Sequence, residues 1–413
     1  MKKVNYILFI GLQLILSTTM LNAQLLAEGE SIVTCGTRNG SDYVVGKIDI
    51  RNRSSAPLGT NWLASMYHHP DWTRNRLGHV FGIALTNSGA IFVSATNVYL
   101  QQALGSLGAG GIYKLDQATG AVEDFKSLSL TSGTLGNMCY DVTNDQLFVS
   151  GSVDKKIFRL DPNDGTLLST YTSTSGSGLL FGIGIFEERL YYAVDKTIYS
   201  LAILNDGSLG TTPIQELVLV SGSGAISDIA FSENGFMLVA QRGGPHTNFA
   251  YKFTRSGQSW GSQETVYIGN FRTGRNSAGG VDFGYASFDP AGAGGALDEM
   301  MWLTGNAIMW PGENPDGSSD RIYGMVGVPI TGNSDTPGAP DYRKTRNYYV
   351  DFDANVLNNS KGYIGDVEVY RPVCSTGLTE IQVVWPYEDD RLNAPDLQDD
   401  RFLVCEVRIR KTD

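Results

Sequence analysis

The sequence predicts an all-β fold built from six repeated units, and two observations support this. Glycine accounts for 49 of 413 residues, about 12 % against an average near ~7 %, and it is costly inside helices. Short apolar segments rich in β-branched and aromatic residues recur along the chain, separated by turn residues. These observations argue against a helical bundle or coiled coil. The hydrophobic content of 42 % also excludes a disordered chain.

Residues 1–23 predict a secretory signal peptide. Two lysines precede a mostly apolar stretch from Tyr6 to Leu21, and Ala23 stands before the expected cut at Gln24. The apolar run is short and interrupted by polar residues, unlike a membrane-spanning helix. We therefore expect an exported protein with no membrane span after cleavage. It would be secreted or held at the cell surface, with the periplasm as an alternative.

The charge balance argues against nucleic acid as a partner. The formal net charge is −12, and removal of the two lysines of the signal peptide gives −12 − 2 = −14. An acidic surface repels nucleic acid and anionic lipid.

Two strand patterns mark the six units. A glycine or acid followed by alternating apolar residues occurs at 82–85, 140–142, 182–185, 228–231, 280–283 and 366–369. An apolar–aromatic–polar–apolar pattern occurs at 112–115, 157–160, 198–201, 250–253 and 322–325, with a degraded copy at 45–48. The central copies of this second pattern begin 41 to 52 residues apart. That spacing is typical of one blade of a β-propeller.

The order of the strands predicts how the ring closes. The N-terminal copy around Val45 lacks a first strand, and the C-terminal copy at 364–370 lacks the strands that should follow it. Joined, they complete one blade and protect the free edges. We therefore predict a six-bladed propeller over residues 24–374. Residues 375–413 form a C-terminal extension with two candidate strands, at 380–385 and 402–410.

The repeats resemble those of secreted bacterial six-bladed propellers of the YVTN/NHL-like group. The resemblance is carried best by the segments 157–162 (Ile-Phe-Arg-Leu-Asp-Pro) and 165–166 (Gly-Thr), and it covers about residues 30–374. It implies the architecture. It implies no activity, because this fold hosts enzymes, scaffolds and binding proteins alike.

Four cysteines follow the signal peptide: Cys35, Cys139, Cys374 and Cys405. In an exported chain an even number suggests disulfides, and four cysteines allow three pairings. A Cys35–Cys374 bond within the closing blade would link the two ends of the ring. Free buried thiols are the alternative.

Acidic residues on the first strands are candidate ligands for a metal ion. Asp141, Asp228 and Asp366 would lie around the central channel, and Ca²⁺ prefers such oxygen ligands. This resembles the metal-bearing channel of sugar-lactonase-like propellers, although the Glu-Gly-Pro sequence of those enzymes is absent here. The alternative is that the carboxylates accept backbone amides between blades. Asp316 and Asp320 form a second candidate calcium site in a loop.

Exposed loops supply the candidate ligand-binding residues, because aromatic and arginine side chains dominate binding hot spots. A catalytic serine is not indicated. Residues 257–261 (Gly-Gln-Ser-Trp-Gly) have the letters of a nucleophile elbow, but a strand follows where that motif needs a helix. The candidates for ligand binding are Trp62, Tyr67, Trp72, Arg242, Arg272, Arg275 and Trp310.

These features favour a non-catalytic binding or scaffold propeller that recognises protein or glycan through one loop face. The first alternative is a lactonase-like hydrolase or lyase with a divalent metal in the channel, which three acids converging at ligand distance would favour. The second alternative is a structural subunit of an extracellular assembly, whose C-terminal strand engages a neighbour. Deletion of residues 375–413 tests that alternative, because oligomers that survive the deletion would contradict it.

Overall fold

A computed structural model describes residues 24–51, 59, 61–99, 103–269, 274–285, 300–309, 322–330, 347–352 and 364–372. These residues form six antiparallel sheets whose innermost strands contact one another in a closed ring. The six-bladed propeller expected from the repeats is thereby confirmed. The signal peptide and the C-terminal extension lie outside the described residues. Among the described helices, none has the length and apolar character needed to cross a bilayer.

Each blade has four main strands and runs outward from the channel. The strands are β1 (Ser31–Cys35), β2 (Val45–Ile48), β3 (Met66–Tyr67), β4 (Val80–Leu85), β5 (Ile91–Ala95), β6 (Gly111–Leu115), β7 (Val122–Ser127), β8 (Leu135–Asp141), β9 (Gln146–Gly151), β10 (Lys156–Leu160), β11 (Leu167–Thr172), β12 (Leu180–Phe186), β13 (Arg189–Val194), β14 (Thr197–Ala202), β15 (Ile214–Val218), β16 (Ala225–Phe231), β17 (Phe236–Arg242), β18 (Ala250–Ser256), β19 (Ser259–Trp260), β20 (Glu264–Val266), β21 (Ser277–Gly284), β22 (Met300–Met309), β23 (Ile322–Pro329), β24 (Tyr348–Asp351) and β25 (Ile364–Val369). The helical turns are α1 (Arg74–Leu77) and a 3-10 turn (Gly108–Gly110).

Blades 1 to 5 follow the chain from β4 to β24, with inner strands β4, β8, β12, β16 and β21. Blade 6 closes the ring with the order β25-β1-β2-β3. In it, Ser31 pairs with Val369 and Cys35 with Ile364. The predicted pairing of N- and C-terminal strands is therefore confirmed. It gives both edges of β1 a hydrogen-bonded neighbour, so the second strand of the last blade has no open edge.

The inner strands are held by apolar residues buried between neighbouring blades. Ile83, Ile183 and Val367 occupy corresponding positions in their strands and are at most 1 % exposed. Ile183 of blade 3, for example, belongs to one core cluster with Phe148 and Ile157 of blade 2. Burial of one such side chain contributes roughly 1.5–3 kcal/mol, so the interfaces between blades form the core of the ring.

Asp side chains stabilise the turns between outer strands, at the positions where the sequence has clusters of Asp and Asn. Oδ1 of Asp116 accepts the amide of Thr119, and Oδ1 of Asp161 accepts the amide of Asn163. These contacts are the local side-chain turns that such residues favour. The 257–261 segment is a hairpin as expected, because β18 and β19 pair directly across it.

Candidate functional site

The centre of the ring has alternating glycine and polar positions on its inner strands. Asn137, Asp228 and Asp366 lie on blades 2, 4 and 6 and are all buried. The neighbouring blades 1, 3 and 5 carry glycine at the matching place. A Cβ on Gly182 would lie 2.8 Å from the backbone nitrogen of Asp228, and one on Gly280 would lie 2.5 Å from Cα of Asp366. The glycines therefore let alternate blades approach closely enough for their polar side chains to meet at the axis.

These polar side chains bind the backbone of neighbouring strands and each other. The Asn137 amide donates to Oδ1 of Asp228 at 2.7 Å, and the Val281 amide donates to Oδ2 of Asp228 at 2.7 Å. The Ile83 amide donates to Oδ2 of Asp366 at 3.3 Å. The carboxylates thus join blade 4 to blade 5 and blade 6 to blade 1. Oδ1 of Asp366 is buried and has no hydrogen-bond partner among the described residues.

A second acidic layer lies two residues further along the inner strands of blades 5 and 6. Asp282 accepts the amide of Val369 at 2.7 Å and pairs with Arg371 at 2.7 Å. Glu368 is half-buried, and its carboxylate lies within 4.8 Å of those of Asp228 and Asp366. The carboxyl groups of Asp228, Asp366 and Glu368 therefore converge. The carboxylate of Asp282 lies beside them and is paired with the Arg371 guanidinium.

Burial and mutual repulsion raise the pKa values of this cluster. Burial raises the pKa of Asp228 to about 7. Burial also raises the pKa of Asp366 well above its usual range, and the nearby charge of Asp228 raises it further. The pKa of Glu368 is also raised well above its usual range, first by burial and then by the charges of Asp282, Asp228 and Asp366. Charge is costly in this low-dielectric site unless a proton or a cation compensates it.

Among the described residues, the channel opens at the end where the inner strands terminate. A cavity of about 280 Å³ lies there, and Glu368, Asp282 and Arg371 contribute its charged wall. Glu233 on the rim adds a further acid, and the apolar part comes from residues such as Ile185. This end combines hydrogen-bond acceptors with one guanidinium donor.

The opposite end of the channel is filled by packed side chains. Arg242 is 6 % exposed, and its guanidinium lies 4.7 Å from the ring centre of Tyr99 and 5.6 Å from that of Phe81. Its Nη1 donates to the carbonyl oxygens of Ala278 and Ile364. Burial lowers the pKa of Arg242 to about 10, so the side chain remains charged at neutral pH. Access from solvent is therefore to be sought at the other end.

The structure does not bring Asp141 to the carboxyl cluster. Its oxygens accept the amide of Thr143 and the side-chain amides of Asn144 and Gln146. Asp141 therefore stabilises the turn between β8 and β9. Asp316 and Asp320 lie outside the described residues.

None of the described residues proposed for ligand binding lines the cavity. Trp72 is fully buried, and its indole N–H donates to the Gly120 carbonyl at 2.8 Å. Trp62 is 7 % exposed, whereas Tyr67 is 37 % exposed and packs edge-on against Trp72. Arg242 fills the closed end. The remaining candidates either stack outside the channel or lie outside the described residues: Arg275 is stacked 5.2 Å from the Phe249 ring centre, and Arg272 and Trp310 are outside.

The cysteines show no disulfide among the described residues. Cys139 has a free thiol on the wall of the cavity. Cys35 is buried on β1, and its Sγ lies 3.5 Å from the Tyr43 carbonyl oxygen. Cys374 and Cys405 lie outside the described residues, so the Cys35–Cys374 bond stays a prediction. Because Cys35 pairs at the start of β25, such a bond requires the chain to turn back along the sheet after Val369.

Sequence reasoning missed Asn137, Asp282 and Glu368. Asp282 and Glu368 stand inside the quoted repeat segments, and an acid at an apolar-strand position is the signal that identifies them. Asn137 was missed because the copy in blade 2 was placed at 140–142. The inner strand there runs from Leu135 to Asp141, so Asn137 and Met138 are the residues that match the pattern.

Comparison with known proteins adds similarity in fold only. No family model and no curated protein matches the chain. A crystal structure of a nidogen/laminin complex aligns with 12 % identity and a TM-score of 0.46, covering 78 % of this chain and 97 % of that one. A Bacteroides caccae protein of unknown function gives 11 % identity and a TM-score of 0.43, with 82 % and 98 % covered. A Lactobacillus plantarum protein gives 9 % identity and a TM-score of 0.44, with 79 % and 100 % covered.

Proposed function

We propose that the protein is an exported, non-catalytic binding propeller that recognises a glycan at the open end of its channel. The observation that carries this proposal is the contrast between the two ends. Arg242 and its aromatic neighbours fill one end, whereas the other end holds a cavity of about 280 Å³ with charged walls. A ligand that enters the ring therefore does so from the open end.

The shape and chemistry of the cavity favour a sugar over a flat protein surface. Small-ligand sites are concave, mostly apolar pockets of about 300–1,000 Å³ with a few polar groups that orient the ligand. This cavity, at about 280 Å³, lies just below that range, which suits one terminal sugar ring. The carboxylates of Asp282 and Glu368 can accept hydrogen bonds from hydroxyls, and Arg371 can donate to a ring or carboxyl oxygen.

A glycan array probed with the labelled mature chain tests the proposal, and blade 2 offers a matched pair of variants. Val142 lies half-buried on the cavity wall, whereas Val153 is 48 % exposed in the next turn at the opposite end of the same blade. We expect Val142→Trp to abolish glycan binding and Val153→Trp to leave it unchanged. An array with no specific signal, or equal effects of the two variants, would contradict the proposal. Binding of a protein alone would favour the other partner class.

A second candidate is a metal-dependent hydrolase or lyase, and the convergence of Asp228, Asp366 and Glu368 supports it. The test is hydrolysis of a panel of lactones and esters with Ca²⁺, Mg²⁺ or Mn²⁺ added. Turnover that disappears in Glu368→Gln would favour the enzyme. Absence of turnover with all three ions removes this candidate.

Export is supported by the N-terminal sequence pattern and has a direct test. The full chain, including residues 1–23, is expressed in a bacterial host, and the cells are fractionated. Intact-mass measurement should then find a chain that begins at Gln24 outside the cytoplasm. An uncleaved chain in the cytoplasm would contradict it.

A further inference from the structure

We propose that Asp228, Asp366 and Glu368 together bind one Ca²⁺ ion at the base of the open cavity. The three carboxyl groups each place a ligand oxygen within 4.8 Å of the others. They come from two strands, β16 and β25, that are not neighbours in the ring. The inference concerns a cation and stands whichever of the two functions proposed above holds.

The strongest sign of a missing partner is Oδ1 of Asp366. Asp366 is 0 % exposed. Its Oδ2 accepts the Ile83 amide, whereas Oδ1 has no nitrogen donor among the described residues, and the carboxyl group meets that of Asp228. Buried polar atoms without a partner are rare in folded proteins and require an explanation. Two groups can satisfy this oxygen here: a proton shared with a neighbouring carboxyl, or a cation held between carboxylates.

The charges around the cluster favour a cation. Arg371 pairs with Asp282 at 2.7 Å and also interacts with Glu368, and Arg242 interacts with Asp366. The four acids at the centre (Asp228, Asp282, Asp366 and Glu368) therefore outnumber the two guanidinium groups near them. Asp228 accepts from the Asn137 side-chain amide, and its carboxyl group contacts that of Asp366. A divalent ion would neutralise two of the three charges in a site where burial makes repulsion strong.

The ligand type favours calcium. All three ligands are carboxylates, which suit hard cations and not zinc or copper sites with nitrogen or sulfur. The three ligand oxygens lie within 4.8 Å of one another, and calcium–oxygen distances of about 2.3–2.6 Å let the ligands of one ion span such a separation. Calcium also accepts irregular coordination by protein oxygens, whereas magnesium demands nearly octahedral geometry and gives up its water reluctantly.

The position of Glu368 supplies the access route. Glu368 lines the cavity, whereas Asp228 and Asp366 lie beneath it. An ion can therefore enter from the open end, and water in the cavity can complete the six to eight oxygen ligands that Ca²⁺ takes. The glycines at 182 and 280 keep the inner strands close enough for all three carboxylates to reach one point.

Calcium titration of the full mature chain tests the proposal. After treatment with EDTA and dialysis, isothermal titration with CaCl₂ and with MgCl₂ gives stoichiometry and affinity, and thermal melting reports the coupled gain in stability. We expect one Ca²⁺ per chain. Glu368→Gln should weaken binding at least about tenfold and Asp366→Asn at least about a hundredfold, since each removes a charged ligand. Glu123→Gln, which changes an exposed acid on the outer strand β7, should change the affinity less than about threefold.

Three results would overturn the inference: no saturable Ca²⁺ binding, equal affinity in the wild type and both ligand variants, or tighter binding of Mg²⁺ than of Ca²⁺. Circular dichroism in EDTA checks that the variants fold. If Asp366→Asn does not fold, the affinity of Glu368→Gln alone decides the question. Failure here leaves the glycan proposal intact, because the array compares Val142→Trp with Val153→Trp and involves no calcium ligand.

Discussion

The side-chain amide of Asn137 donates to the carboxylate of Asp228 at 2.7 Å although the two residues belong to blades 2 and 4. The intervening blade 3 carries Gly182, whose missing side chain leaves room for this contact. A direct bond between non-neighbouring blades makes the centre of the ring a structural unit of its own. Its properties should therefore be separable from those of the outer strands.

The carboxyl cluster predicts an unusual dependence of stability on pH. The pKa of Asp228 is raised to about 7 in the folded chain, so the folded state binds more protons than the unfolded state above pH 4. The stability contributed by the proton is present below the unfolded pKa of about 4 and is lost as pH rises through about 7. Urea unfolding in EDTA should show a lower free energy of unfolding at pH 8 than at pH 5. Asp228→Asn should flatten this difference, and an unchanged slope would contradict the assignment.

The close approach of inner strands predicts that Gly280 tolerates no side chain. A Cβ there would lie 2.5 Å from Cα of Asp366, which is backbone and cannot turn aside. Gly280→Ala should lower the free energy of unfolding by about 1–3 kcal/mol, the usual cost of overpacking. Gly210→Ala is the matched control, because its nearest contact would be an ordinary 3.5 Å. Equal stability of the two variants would show that the ring can widen.

The closed end of the channel predicts a large structural role for Arg242. Its guanidinium links blades 5 and 6 through the carbonyl oxygens of Ala278 and Ile364. Arg242→Met would remove two buried hydrogen bonds from a charged donor, worth about 1.5–3 kcal/mol each. Arg76→Met is a suitable comparison, since Arg76 forms a partly exposed pair with Asp124 worth at most about 1 kcal/mol. Chemical denaturation should rank the two accordingly, and a reversed order would refute the role.

The closing blade predicts different effects for two C-terminal truncations. Removal of residues 364–413 deletes β25 and exposes the edge of β1, so we expect an unfolded or aggregated chain. Removal of residues 375–413 leaves every described strand in place, and we expect the ring to keep its cooperative melting transition. Size-exclusion chromatography and calorimetry distinguish these outcomes. A folded monomer after the longer deletion would contradict the closure.

The architecture could be predicted from sequence because it depends on local, repeated patterns. The strand pattern at 157–160 and its copies set the blades, and the incomplete units around Val45 and at 364–370 indicated the closure. Each of these signals lies within a few residues, where alternation of apolar and polar side chains is visible in the sequence.

The site was harder to predict because it is assembled across the ring. Asp228 and Asp366 were identified from their strands, but Asp141 was chosen in place of Glu368. The weakest repeat was placed three or four residues too far along the chain. As a result Asn137 was missed, and Asp141, which lies at a turn, was chosen as a channel residue. The exposure of side chains could not be predicted from the sequence either. Trp72 and Arg242 belong to residue types enriched at binding sites, yet both are buried by neighbours distant in sequence.

The pairing of β1 with β25 also sets an order in time. Ser31 emerges early during synthesis, but its partner Val369 follows only after the other five blades have been made. Until then, β1 and β4 lack their neighbour, and hydrophobic strand edges stay exposed to other chains. Contacts so distant in sequence also slow folding, since a long loop must close before they form. A chain built this way cannot close its ring before β25 has been synthesised, whatever the state of the other five blades.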